Sequence, residues 1–253
     1  MRWEPDTSAP GTNRGDVSTP LRDAGVVVAD VASFFPSHLA LGSALDDLVA
    51  DLERTDGSHV SFDRPEIYLA ALDLDHLAMV QHYLGTPPAL TGVHIRRDVG
   101  GKVGGIKHWH VDSEDGAVLR LIVYLADVDH TNGPFEFVPD SWRETCNHLL
   151  RRDVIDDPLD GYRSATVTDE VMSAVVAPTH WQAVTGPRST CVLVDAARLF
   201  HRTRPHDAER LTLTFTYTSR CPRHPEVRRN PDLDHLLVEA QSSCFYAATP
   251  RTD

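Results

Sequence analysis

The chain of 253 residues sets 24 basic against 37 acidic residues, a formal charge of −13, and 41% of it is hydrophobic. That is enough apolar material for one compact domain and its core. The acidic balance excludes nucleic acid as the default partner, because no general basic surface is present to neutralise phosphates.

Residues 1–20, rich in Pro, Gly, Ser, Thr and Asp and without periodicity, read as a disordered tail, with a single domain over 21–253. Between 36 and 54, Leu39, Leu45, Leu48, Val49 and Leu52 recur at helical spacing, with Gly57 beyond them. A second helix is expected over 63–85. Asp63 is its N-cap, Pro65 lies in the first turn, Glu66 completes a capping box, and Gly85 ends it. After residue 90 the pattern changes to short β-branched and apolar runs, at 93–97, 107–112, 118–125, 135–138, 190–194 and 211–218, separated by glycines. Many short strands after a helical start predict a mainly β fold, a sandwich or open barrel with flanking helices on one outer face and its core at about 90–220. Between 141 and 187 the pattern is irregular, with a helix expected at 169–175; an insertion of this kind reads as a lid or substrate-shaping segment.

The first residues, Met1-Arg-Trp-Glu-Pro-Asp6, contain no apolar signal segment, and nothing later has the length of a membrane span. Cys146, Cys191, Cys221 and Cys244 form no close pair and read as reduced thiols, so a cytoplasmic protein without membrane partners is expected. The basic cluster Arg220, Arg223, Arg228 and Arg229 reads as a solvated face, the alternative being a contact for an anionic substrate.

Chemistry enters at His110-Val111-Asp112. Residues two apart in a strand share a face, so His110 and Asp112 can reach one metal ion together. With a further histidine they make the two-histidine, one-carboxylate set that leaves half the coordination sphere of iron open. His108 shares the same alternation and competes as a ligand, or else lines the pocket or bonds behind it. For the third ligand, the buried run 190–195 followed by a turn at 196–200 delivers His201; His206 and His180 are rivals in weaker settings. Nine positions after His201, Arg210 opens an alternating stretch in which Arg210, Thr212 and Thr214 share one face and Leu211, Leu213 and Phe215 the other. An arginine inside a barrel needs an anion, and its fork suits a carboxylate, with Thr212 adding a hydroxyl. The alternative is an edge strand with Arg210 in solvent.

The series His108–Asp112, Leu119 to Leu125, Asp127-Val-Asp129, Asn132-Gly-Pro-Phe-Glu-Phe-Val-Pro139, Val184-Thr-Gly-Pro187, Val192 to His201 and Arg210 to Tyr217 resembles the phytanoyl-CoA dioxygenase-like branch of the Fe(II)/2-oxoglutarate oxygenases, over about half of the chain. The resemblance implies a double-stranded β-helix, a cupin-like jelly-roll. It implies iron on His110, Asp112 and His201, and the 2-oxoglutarate cosubstrate on Arg210 and Thr212, with Tyr124 and Lys107 as further contacts. The implied reaction uses O2 to hydroxylate or otherwise oxidise an unactivated C–H bond of a small-molecule metabolite, giving succinate and CO2. A carboxylate at Asp112 argues against the halogenase variant. Pro139-Asp140-Ser141-Trp142 departs from the family's Pro-Gly-Ser-His, and 141–187, apart from Val184 to Pro187 at its end, shows no match. The competing classes are a non-oxygenase cupin-like isomerase or binding protein, and a scaffold without activity.

Overall fold

The computed structural model describes residues 18–35, 37, 39–54, 64–98, 100, 105–151, 166–205 and 207–224. A short helix α1 (Ser18–Ala24) already occupies the end of the expected tail, whose first seventeen residues lie outside the described ones. After strand β1 (Val26–Asp30) and a one-turn helix α2 (Val31–Phe34) comes α3 (Leu39–Arg54). Leu41, Leu45, Leu48 and Leu52 lie along α3 at helical spacing and all are buried. The single helix expected over 63–85 is two, α4 (Pro65–Ala71) and α5 (Leu74–Leu84). Asp73 explains the break, because its carboxylate accepts the backbone N–H of His76 at 3.0 Å and caps a new start. Gly85 closes α5 in the left-handed conformation, φ 71°. The expected cap Asp63 lies outside the described residues, and Arg64 in the cap position makes no side-chain cap bond.

The sheets hold β2 (Pro88–Asp98), β3 (Leu119–Tyr124), β4 (Phe135–Phe137), β5 (Gln182–Val184), β6 (Thr190–Asp195), β7 (His201–Thr203) and β8 (Arg210–Ser219). Five strands form one sheet in the order β1-β6-β3-β8-β2, and three form another, β5-β4-β7, with every pairing antiparallel. This is a double-stranded β-helix with helices on one outer face. Leu119, Leu121, Leu213, Phe215 and Tyr217 pack outward with Leu45, Leu48, Ile67 and Leu77 of the helices. Ile122, Tyr124, Val192 and Val194 point the other way, into a core shared with Phe135, Phe137 and Val184 of the small sheet. The register pairs Arg120 with Thr216, Ile122 with Thr214 and Tyr124 with Thr212, so these polar side chains also belong to the inner face.

Three strands, β1, β5 and β7, are additions to those expected, and one expected strand is corrected. Residues 107–112 do not form a continuous strand: Gly105–Lys107 is a 3-10 turn, followed only by single bridges from Trp109 to Val167 and from His110 to His201. The segment has two different partners at successive residues, which leaves no room for a regular ladder. Within the irregular region, α6 (Arg143–Cys146) and α7 (Asp169–Ser173) are short; α7 begins where the helix at 169–175 was expected and ends two residues earlier. Cys146, Cys191 and Cys221 are unpaired, and Cys244 lies outside the described residues.

Candidate metal centre

Residues 196–200 cross from the large sheet to the small one and deliver His201. Asp195 organises that crossing: its Oδ1 accepts the N–H groups of Val118 and Ala197, both at 3.2 Å, while the Tyr83 hydroxyl donates to Oδ2 at 2.8 Å. Its backbone carbonyl accepts from Arg198 at 3.1 Å. On the other arm, His110 and His201 exchange backbone hydrogen bonds of 3.0 and 2.9 Å, and the N–H of Asp112 donates to Ala196 at 2.8 Å. One antiparallel contact thus brings two histidines face to face, and the crossing turn holds the carboxylate beside them.

His110, Asp112 and His201 each offer one ligand atom, and these atoms lie within 4.8 Å of one another; no other such group of three occurs among the described residues. The His110 Nε2 is 3.9 Å from the Asp112 Oδ1. Each Nδ1 bonds a carbonyl two residues back, His110 to His108 at 2.8 Å and His201 to Leu199 at 2.9 Å. A carbonyl only accepts, so each Nδ1 carries the proton and each Nε2 keeps its lone pair. Burial and the neighbouring His201 push His110 down to about 3, and burial lowers His201 as well. Burial opposes ionisation of Asp112, yet the adjacent Arg120 guanidinium holds its carboxyl below the usual range. Two neutral imidazoles and one carboxylate with converging lone pairs are the donor set of a divalent transition metal. Phe135 stacks on His201 with centroids 5.6 Å apart and limits its rotation.

His108 contributes its carbonyl and stands outside the triad. His180 is exposed and packs edge-on against Trp142, while His206 lies outside the described residues. Arg210 is buried, 5% exposed, so the exposed-edge alternative does not hold. A carboxylate does meet it, but one from the chain itself: Nη2 donates to Asp98 at 2.7 Å and Thr203 at 2.8 Å, and Nη1 to the Gly133 carbonyl at 2.6 Å. Its Nε is buried without a hydrogen-bond partner among the described residues. Thr212 and Tyr124 are cross-strand neighbours on the inner face of the large sheet, and the Tyr124 hydroxyl ties that sheet to the small one by donating to Val184 at 2.8 Å and accepting from Phe135 at 3.0 Å. Lys107 is buried in the 3-10 turn before the first histidine.

Several residues at the centre escaped the sequence reading. Arg120, on β3, donates through Nε to Oδ2 of Asp112 and through Nη2 to Glu114 at 2.8 Å. The signal was available: Arg120 holds a polar position inside an apolar strand, as Arg210 does at the start of β8. Behind the histidines, Trp109 and Arg202 point away from the metal side. The Arg202 guanidinium lies 4.4 Å from the Trp109 ring centroid and 5.2 Å from that of Trp181. It donates to Glu136 at 2.7 Å and also pairs with Asp169. The triad is therefore backed by a buried cation that ties β4 and β7 to the segment around α7.

Comparison with solved structures extends this picture. EctD from S. alaskensis, solved with 2-oxoglutarate and 5-hydroxyectoine, superposes with a TM-score of 0.52 at 20% identity, over 87% of this chain and 79% of that one. The epimerase SnoN, solved with Fe3+, alpha ketoglutarate and nogalamycin RO, superposes with a TM-score of 0.52 at 18% identity, over 81% and 83% of the two chains. The fold is shared. No protein-family model and no curated protein matches the sequence.

Proposed function

We propose that the chain is an Fe(II)/2-oxoglutarate-dependent oxygenase of the phytanoyl-CoA dioxygenase-like kind, acting in the cytoplasm on a small molecule and hydroxylating an unactivated C–H bond. The observation that carries this reading is the convergence of His110 Nε2, His201 Nε2 and the Asp112 carboxylate at one end of a double-stranded β-helix. Solved neighbours of the same fold hold iron or 2-oxoglutarate, EctD among them.

His110, Asp112 and His201 would hold the iron. Ferrous iron with 2-oxoglutarate supplies O2 activation coupled to decarboxylation, with succinate and CO2 as coproducts. The protein's own contributions are definite. The carbonyls of His108 and Leu199 keep both imidazoles in the ligating tautomer. Burial keeps them neutral at physiological pH, so no proton has to leave before metal binds. Arg210 is the anchor for the distal carboxylate of 2-oxoglutarate; its buried Nε, without a partner among the described residues, is a donor that an incoming anion satisfies. Thr212 adds a hydroxyl on the same face, Tyr124 stiffens the wall beside it, and Lys107 adds a buried positive charge to the electrostatics of the site. The inner barrel wall excludes water from the oxidising centre, and rigid strands position the target carbon.

A second reading is favoured by one observation. Asp98 already neutralises Arg210, as it would in a metal-binding isomerase of the cupin type that never takes a dicarboxylate. The deciding assay is conversion of 2-oxoglutarate to succinate by the purified protein with Fe(II) and O2. The oxygenase reading requires slow succinate release even without substrate, dependent on iron and absent in Asp112→Ala. No release above the iron-only background, in protein that binds iron, would favour the isomerase.

A further inference from the structure

The two oxygens of Asp112 have different neighbours. Oδ1 lies 3.9 Å from His110 Nε2, on the ligand side, whereas Oδ2 accepts from the Nε of Arg120. Asp112 is 4% exposed at its side chain, Arg120 20% and Glu114 12%, so the three charges meet largely out of solvent. Their backbones are unequal in rigidity. Arg120 sits in the middle of the large sheet, paired with Val194 on one side and Thr216 on the other. Asp112 and Glu114 lie outside any strand, where the Asp112 N–H donates to Ala196 at 2.8 Å and the Glu114 carbonyl accepts from His224 at 2.9 Å. A carboxylate on such a stretch does not keep one oxygen aimed at a metal by itself.

We propose, building on the metal-centre reading, that Arg120 is the positioning residue for the ligand carboxylate. Its guanidinium occupies Oδ2 and so presents Oδ1 alone to the metal, making Asp112 a one-oxygen ligand. Glu114 is its counter-charge, accepting from Nη2 at 2.8 Å, so the pair is neutral and the negative charge of Asp112 remains available to the cation. The planar fork matters, since one guanidinium bridges two carboxylates two residues apart in sequence; an ammonium has no such geometry.

The test is Co(II) binding to the metal-free protein, followed by the visible ligand-field bands and by competition with a chelator. Arg120→Met is expected to weaken Co(II) binding by about 10–100-fold, the usual effect of removing an outer partner of a metal ligand. It also frees Oδ2 to chelate, so the bands lose intensity, as they do in higher-coordinate cobalt. Arg120→Lys, which keeps charge and bulk, is expected to fall between the two and provides the measurement if Arg120→Met does not fold. A purely structural role would lower the melting temperature and leave the affinity and the bands unmoved, which would overturn the proposal. Tighter cobalt binding in either variant would also overturn it, by showing that Arg120 competes with the metal for the carboxylate. Failure of the unaltered protein to bind cobalt would instead remove the metal-centre reading.

Discussion

Arg202→Met probes the support behind the metal strands without touching a ligand. Arg202 and its partner Glu136 are both nearly inaccessible, at 4% each, and their bond is 2.7 Å long. Removing one member of such a pair leaves a buried uncompensated charge, which costs about 3–5 kcal/mol. Stacking on Trp109 and Trp181 adds roughly 1–2 kcal/mol for a desolvated cation. Asp169, 48% exposed at its side chain, contributes less than about 1 kcal/mol. Methionine keeps an apolar side chain beside the rings, so these contributions do not simply add; the net expectation is a loss of about 4 kcal/mol. In a chain of this size that lowers the melting temperature by roughly 8–16 °C. Urea unfolding of the metal-free protein measures the loss directly. The double variant Arg202→Met/Glu136→Leu replaces the pair by apolar groups and should regain most of it, because the stranded Glu136 charge is the main cost. A single variant within about 1 kcal/mol of the unaltered protein would refute the buried-pair argument. A double variant no better than the single one would move the energy to the tryptophan stack.

The metal-free protein should lose stability as pH falls below the unfolded histidine value of about 6.5, since the unfolded chain takes up protons that buried His110 and His201 refuse. The stability is complete above that value and declines toward the depressed folded values. By pH 5 the loss from His110, whose folded value is about 3, is about 2 kcal/mol, and His201 adds to it in the same direction, read as a falling urea midpoint; a flat midpoint between pH 7 and 5 would contradict the burial argument. Arg210→Gln is expected to raise the 2-oxoglutarate concentration needed for half-maximal succinate release by more than tenfold, the scale of a lost charge-assisted pair of about 1.5–3 kcal/mol. An unchanged requirement would assign Arg210 to holding Asp98 and the Gly133 turn alone.

The alternation of Arg210 to Tyr217 foretold which side chains of β8 face the helices and which face the barrel, because a strand buried on one face leaves a period of two. His110 and Asp112 were marked by their spacing and His201 by the buried run and turn before it, and the fold brings the three together. Other features depend on partners distant in sequence. β5 and β7 have three residues each and exist because β4 lies between them, a relation no local propensity encodes. The division of α4 from α5 hinges on Asp73, one acidic residue among several that could cap or could simply face solvent. Asp98 meets Arg210 only through the β2–β8 register, and Glu136 meets Arg202 only through β4–β7. Arg120 was legible in principle, as a charge on the inner face of an apolar strand. What it touches was not, since Asp112 is brought to it by the crossing at 196–200.

The most direct test of the central claim is an anaerobic titration of the metal-free protein with Fe(II) and then 2-oxoglutarate, following the weak visible charge-transfer band of the chelate. The expected band grows only when both are present, persists in His108→Ala and is lost in His201→Ala. Iron binding with neither a band nor measurable affinity for 2-oxoglutarate would contradict it.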